Sequence, residues 1–362
     1  MGLYVFVRNK LIKKTNNSKL INIYCYMFLA VIVFVSRLVM VYIITDPVKQ
    51  FDVSLYNGLG SYINYYLGKL FGSSVYANIV INTVIVYVSS ILIKKIILNI
   101  TNNDFVSTFT SFMYILIPKS LITIKEYSRF GYNVLFILLG IYIFFKIIDL
   151  LKRFDNKSNE YIYLSICLGV VQALDIVLGG TYVFWIVTMI LSVLVSTYID
   201  ITHIHFRDSF KSKLKLKYKV YVEKIEKINI SKLVYVILIS LAISLIPTVI
   251  TSLISKINNY EMTNVITSIK ENLIHSRNYY IVLIVVITVF DILGLILKRD
   301  IDTKMFLFKV AYITSICIIP FVLKNNYTSY VFDTILAINV IISMCNVCIN
   351  NEGKIKLLKE KN

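Results

Sequence analysis

Residues 20–44 read LINIYCYMFLAVIVFVSRLVMVYII, an unbroken apolar run with one charge, Arg37. As an α-helix such a run is long enough to cross the roughly 30 Å hydrocarbon core of a bilayer. Basic residues precede it, and the run is too long for a signal-peptide core and lacks a small-residue cleavage site. It reads as a retained first membrane span. The rest of the chain repeats the pattern. Of 362 residues, 57% are hydrophobic and only 16% are charged, with a mean hydropathy of +0.75. A soluble domain is closer to a quarter charged, so too little polar surface remains to wet a fold of this size. These numbers exclude a secreted soluble domain and a disordered chain. They predict an all-α, polytopic integral membrane protein.

The sequence predicts about ten transmembrane helices, at 20–44, 75–93, 105–122, 131–150, 161–178, 181–199, 233–254, 280–297, 304–322 and 329–349. Pro118 interrupts the third, and Gly179-Gly180 forms a tight turn between the fifth and sixth. The whole of 1–362 reads as one membrane domain with a basic loop at 201–232, C-terminal helices over 233–349 and a tail at 350–362.

The net charge of +18 would suit an anionic partner in a soluble protein. Here its distribution matters more. With Lys119, Lys146 and Lys304 at span ends counted in the segments they border, alternate segments outside the apolar runs, the two termini included, carry 27 and 9 Lys/Arg, and Arg37 and Lys309 lie within spans. That asymmetry is the positive-inside signature. It orients both termini and the basic loop to the cytoplasm of a cell membrane. No nucleic-acid motif accompanies the charge, so no nucleic-acid partner is expected. The five cysteines, Cys25, Cys167, Cys317, Cys345 and Cys348, lie in or beside apolar runs and imply no disulfide framework.

Two outer connections exceed what a link needs. In 45–74, Leu55, Leu59, Ile63, Tyr66, Leu67 and Leu70 recur at steps of three and four, which predicts an amphipathic helix on the membrane surface. Residues 258–275 repeat the pattern with Met262, Val265, Ile266, Ile269 and Leu273. On the inner side, the alternating KLKLKYKVYV at 213–222 suits a chain lying on anionic headgroups, so membrane lipids are expected partners. His203 and His205 form an HxH pair with no third metal ligand nearby.

Ionisable groups within spans are costly and face a polar interior or mark function. Lys309 lies near the inner end of its span and can snorkel; Asp291 has no partner evident from sequence. Arg37, Asp175 and Asp333 fall in outer halves, with Asp46, Asp52, Glu126 and Arg129 just outside. This outer concentration has two readings. One is a structural network in which Arg37 pairs with Asp175 or Asp333. The other is an outward-facing site where a lipid phosphate meets a polar acceptor.

The stretch FLAVIVFVSRLVMVYIITDPVKQFDVSLYNGLGSYI (28–63) resembles the opening of GT-C superfamily glycosyltransferases, such as the protein O-mannosyltransferases and aminoarabinose transferases. In that pattern an outer Arg ends the first span, then a Pro-containing loop, an Asp and a Tyr follow; here these are Arg37, Pro47, Asp52 and Tyr56. The runs at 77–98 and 130–148 share the cadence, LSICLGVVQALDIVLGGTYVFWIV (164–187) looks like the Gly-Leu-rich fifth span, and the likeness covers 20–200. Val53 stands where many members have a second acid, Asn133 where an acid is frequent, and Asp175 where an Arg is common.

The resemblance implies a membrane glycosyltransferase. It would move a sugar from a polyprenyl-phosphate donor to a glycan, lipid or protein acceptor on the extracytoplasmic side. Asp52 is then the catalytic general base. Arg37 and Arg129 neutralise the leaving phosphate, with Lys125 a weaker choice. Tyr56, with Tyr65 and Tyr66, can stack on the sugar. Asp46 and Asp175 are accessory candidates, and Asp46 is placed to assist Asp52 or to bind a divalent cation. No other cofactor is indicated. Three other readings compete. A polysaccharide polymerase or ligase would use an outer loop such as 255–279, which holds His275 and Arg277. A lipid-linked sugar transporter or flippase would show an internal repeat or broken helices, and no repeat is seen. A catalytically inactive GT-C-like scaffold accounts for Val53 and Asn133.

Overall fold

The computed structural model describes residues 18–43, 69–70, 75–101, 103–116, 121, 130–151, 159–177, 185–186, 188–194, 196–197, 228–254, 282, 284–293, 309 and 338–344. Among them there is helix and no strand. Six helices carry the architecture: α1 (Ser18–Ile43), α2 (Val75–Thr101), α3 (Asp104–Leu116), α4 (Phe130–Leu151), α5 (Glu160–Val177) and α6 (Ile230–Ile254). Five contain windows long and apolar enough to cross a bilayer, at Leu20–Val41, Ile79–Thr101, Tyr132–Leu151, Glu160–Val177 and Ile230–Pro247. These match five of the ten expected spans. The described parts of the others are shorter: α3 itself, helical pieces within 185–197, Ile284–Leu293, Lys309 and 338–344. Of the predicted amphipathic surface helix only Lys69 and Leu70 are described, both helical and exposed. The segments 213–222 and 258–275 lie outside the described residues.

The chain divides into two compact units at Leu138/Leu139. In the first, α1, α2 and α3 pack on one another. The faces of α1 show how sequence selects its packing. Cys25, Leu29, Val33 and Arg37, spaced by four, are all buried, while Ile23, Met27, Val31, Phe34, Leu38 and Val41 are exposed. An apolar face left open on a bilayer-length helix is the face that meets lipid. Phe28 of α1 stacks on Phe112 of α3 with ring centroids 6.5 Å apart. The buried side of α3 includes Ser107, Thr108, Thr110 and Ser111. Small side chains let helix backbones approach closely in lipid. Three of these hydroxyls are satisfied within their own helix, donating to the carbonyls of Asp104, Val106 and Ser107.

α2 continues to Thr101, beyond the expected end at residue 93. The reason is visible in its sequence, since IILNI resumes the apolar run directly after Lys94-Lys95. α3 then starts almost at once. Asn103 caps it, its Oδ1 accepting from the backbone N–H of Phe105 at 3.0 Å and Val106 at 3.2 Å.

In the second unit α5 and α6 run side by side. Their starts are joined by Lys232, whose ammonium lies 5.4 Å from the Tyr161 ring centroid. Two turns further along, Gly169 faces Ser240 and Ile243. Contacts thus advance together along both helices, 161 with 232 and then 169 with 240, which makes the two helices parallel. The start of α6 also meets the end of α4, where the Asn229 N–H donates to the Leu151 carbonyl at 3.4 Å. Asn229 caps α6 through its Oδ1, which accepts from the N–H of Lys232.

At Gly169 an added Cβ would lie 2.8 Å from the Ser240 carbonyl oxygen and 2.8 Å from Ile243 Cβ. One of the contacting groups is backbone, so the helices must part to admit it. Gly169→Ala is expected to cost about 1–3 kcal/mol, the usual range for overpacking a tight contact. A fall in the thermal midpoint of the solubilised protein checks this; Gly169→Ala at the wild-type midpoint would mean that α5 and α6 are not in close contact.

Candidate functional site

The described residues contain two of the expected site residues, Arg37 and Asp175. Asp46, Asp52, Tyr56 and Arg129 lie outside them, as do Asp333, Lys125, Tyr65, Tyr66, Glu126, His203, His205, His275 and Arg277.

Arg37 is held by the register of α1. It is 2% exposed and closes the buried stripe begun by Cys25, Leu29 and Val33. Its guanidinium therefore enters the protein and does not face lipid. It stands one and a half turns before the end of α1 at Ile43, or about 9 Å along the axis. This is the outer end in the expected topology, just ahead of the loop that carries Asp46, Asp52 and Tyr56.

Asp175 is fully buried near the end of α5. The sequence offered Arg37 as a partner. The partner described is Trp185, whose indole Nε1–H donates to Asp175 Oδ2 at 2.9 Å. Trp185 is itself buried. Its ring rests on Gly140 of α4, where an added Cβ would meet Cη2 directly and lie 3.1 Å from Cζ2. The missing side chain at Gly140 thus makes room for the indole, and the indole spans from α4 to the carboxyl on α5. The Trp was legible in the sequence only as part of an apolar run. Its role comes from Asp175, since a buried carboxyl in an apolar helix needs a donor. One turn back on α5, Gln172 is also fully buried.

Two further charged junctions were missed by sequence. In the first unit, Lys94 of α2 is buried. Its ammonium lies 2.9 Å from Asp104 Oδ1 at the first turn of α3. The approach is off the hydrogen-bond axis, so this is a charge contact first. The ammonium also sits 5.4 Å from the Tyr26 ring centroid, and Cys25 Sγ approaches Asp104 Oδ2 at 4.0 Å. The charge pattern places Lys94 just past the span ending at 93, in an inner connection; it lies instead within α2, as a buried member of a three-helix junction. A signal existed in the apolar residues that follow it.

In the second unit, Lys309 Nζ donates to both oxygens of Asp291 at 2.9 Å. It also donates to Ser343 Oγ. Both members of the ion pair are partly exposed. Asp291 thus has a partner from a later part of the chain, and Lys309 spends its charge on that partner in place of snorkelling. No local pattern announces a pair at this separation.

Among the described residues no group of three or more His, Cys, Asp or Glu is arranged to hold a metal ion. The described cysteines are thiols, Cys25 buried and Cys167 exposed. No protein-family model and no curated protein matches this sequence.

The Lys94–Asp104 contact sets a prediction. Lys94→Met leaves the Asp104 carboxylate at the edge of a buried junction without its ammonium. Removing one partner of a buried pair costs roughly 3–5 kcal/mol, and the partial exposure of Asp104 places the expected loss near the lower figure. Lys94→Met combined with Asp104→Asn should lose less than the sum of the single losses, with a coupling of about 1–3 kcal/mol. Denaturant unfolding of the four proteins in detergent measures the cycle, and strictly additive losses would show that the contact carries no energy.

Proposed function

We propose that this protein is a glycosyltransferase of the cell membrane that moves a sugar from a polyprenyl-phosphate donor to an acceptor on the extracytoplasmic side. In this reading the chain crosses the membrane ten times, with both termini in the cytoplasm. One observation carries the proposal: Arg37 lies on the buried stripe of α1 and not on the lipid face. A transferase of this kind needs a fixed cation where the lipid phosphate leaves, at the level of the outer interface. An Arg serves better than a Lys, because its planar fork binds phosphate oxygens in pairs. Arg37 is held on the inward face of a helix whose exposed face is mainly apolar, which supports this role.

The remaining roles follow from the resemblance of 28–63 to the GT-C opening. Asp52 takes the proton of the acceptor hydroxyl as that oxygen attacks the anomeric carbon. The carbon–oxygen bond to the lipid phosphate breaks, and Arg37 and Arg129 offset the phosphate charge. Tyr56 stacks on the sugar. Asp46 and Asp175 are accessory acids in this reading, Asp46 to assist Asp52 or to bind a divalent cation; in the second unit Asp175 accepts from the Trp185 indole. The acceptor is a glycan, a lipid or a protein.

Membranes containing the protein, supplied with a panel of radiolabelled polyprenyl-phosphate sugars and with envelope glycan, lipid and protein acceptors, test the reading. Wild type should transfer label. Asp52→Asn, at equal protein level, should lose at least a hundredfold, within the range that a general base supplies. Arg37→Lys should lower the rate less than Arg37→Met. Equal transfer by wild type and Asp52→Asn would remove Asp52 from the mechanism. Absence of transfer from every donor would overturn the glycosyltransferase.

A further inference from the structure

The Asp175–Trp185 bond belongs to a longer polar feature. α5 and α6 begin at the same end and run parallel, so the chain between them must return to that end. The helical pieces within 185–197 are in that return. The bond between Asp175, near the end of α5, and Trp185, at the start of the return, ties the two together there and fixes the register of a return running back along α5. Three residues down the return is Thr188, and three residues back on α5 is Gln172. Each step is about 4.5 Å along its helix, so a return running back along α5 brings the two level one turn below the indole bond.

This level is rich in polar atoms that the protein does not satisfy. Gln172 is fully buried, and neither its Oε1 nor its Nε2 has a hydrogen-bond partner in the protein. Asp175 is fully buried, and its Oδ1 is likewise without one. Thr188 is 8% exposed with Oγ1 unpartnered. Four buried atoms on facing helices, two of them on one amide, are a large sum of unmade bonds in an apolar region. They can be answered together by a molecule that both donates and accepts, is small, and has two to four partners nearby. Water meets all three conditions. A sugar or a lipid headgroup would need an opening, which residues exposed at 0–8% do not offer.

We infer that Gln172, Asp175 and Thr188 form an internal water-binding site between α5 and the return helix, with Asp175 as its proton-exchanging member. The Gln172 amide donates through Nε2 and accepts through Oε1. The Thr188 hydroxyl does either. Asp175 keeps Oδ2 on the indole and turns Oδ1 to the water. No Lys or Arg lies within ion-pair distance of Asp175 among the described residues, so nothing there offsets a carboxylate charge. The acid carries a proton on Oδ1, donates it along the hydrogen bond to water, and takes one back from the same water, with no net change in charge. Among the described residues, Ser240 and Ile243 of α6 meet α5 at Gly169, Trp185 bonds Asp175, and Gly140 of α4 backs the Trp185 ring; none of these is ionisable in the ordinary range. Such a water site stands whether or not the protein transfers sugar.

Infrared difference spectroscopy of the purified full chain in lipid nanodiscs, transferred from H2O to D2O, tests it. Wild type should show a carboxylic acid carbonyl band that shifts on deuteration and is absent from Asp175→Asn. Asn keeps an oxygen for the Trp185 N–H, so the fold should survive the change. The band should persist in the Gln172→Leu/Thr188→Val double variant, but its deuteration should slow at least tenfold, because the water that delivers the proton has lost its other partners. If Asp175→Asn does not fold, the double variant still decides. An unchanged deuteration rate in it overturns the site, as does a wild type with no deuterium-sensitive acid band.

Discussion

A polar or charged group inside a bilayer-length helix has to be answered by the protein, because lipid cannot answer it. The described helices place their polar groups accordingly. Arg37, Lys94, Gln172 and Asp175 are all on buried faces, and the exposed faces of α1 and α2 are lined by residues such as Val31, Phe34, Val80 and Val84. Once those positions are fixed, the rotation of each helix about its axis follows. α1 has to turn Arg37 inward, which turns Phe34 and Leu38 outward. α2 has to turn Lys94 toward α1 and α3, where Asp104 and the Tyr26 ring meet it. The hydrophobic effect drives burial of apolar surface in water, but between lipid-immersed helices it has little left to remove. Polar contacts and close packing therefore set the arrangement.

Close packing is provided at a few positions by small residues. Gly169 lets the α6 backbone come against α5, with Ser240 and Ser244 buried on that side of α6. Gly140 receives the Trp185 ring. The two glycines differ in what they admit. At Gly169 the neighbour includes backbone, so the glycine sets a helix–helix distance. At Gly140 the neighbour is one large side chain, so the glycine sets the placement of a single donor. Through that donor Gly140 acts on Asp175, which it does not touch.

The sequence showed clearly what depends on nearest neighbours along the chain. The apolar runs and their helical form follow from run length and composition, while the inward position of Arg37's stripe comes from the packing of α1. The five bridging helices match expected spans to within a few residues at their starts, as α1, α4 and α5 show. What it did not show were partners. Asp291 and Lys309 are two isolated charges in sequence, and their pairing needs the chain to fold back on itself. Lys94 reads as the end of a span because charge usually marks one. It is instead covered by Tyr26 from α1, a contact between helices well separated along the chain. One reading pairs Arg37 with Asp175 or Asp333; the partner described for Asp175 is an indole N–H. In each case the physical need was legible, and the group that met it was set by packing. The chemistry assigned to Asp46, Asp52, Tyr56 and Arg129 rests on the order of residues in the first third of the chain, since all four lie outside the described residues.

Arg37 is the residue on which the structural and the proposed chemical roles meet. A guanidinium placed only to join helices gains little in lipid beyond what an uncharged Gln or Ser would give, since interhelical hydrogen bonds there average roughly 0.6 kcal/mol. The cost of the charge is larger, at about 2.5–3.5 kcal/mol near a helix centre on the most lenient scale. Snorkelling relieves that cost for a side chain on the lipid face near the interface. Arg37 is on the opposite face, roughly 9 Å below the end of its helix. A permanent cation kept at such a place is answered by contacts within the protein, which its buried position requires. In the function proposed above, a lipid phosphate would be a further anion for a guanidinium that its helix already holds on the inward face.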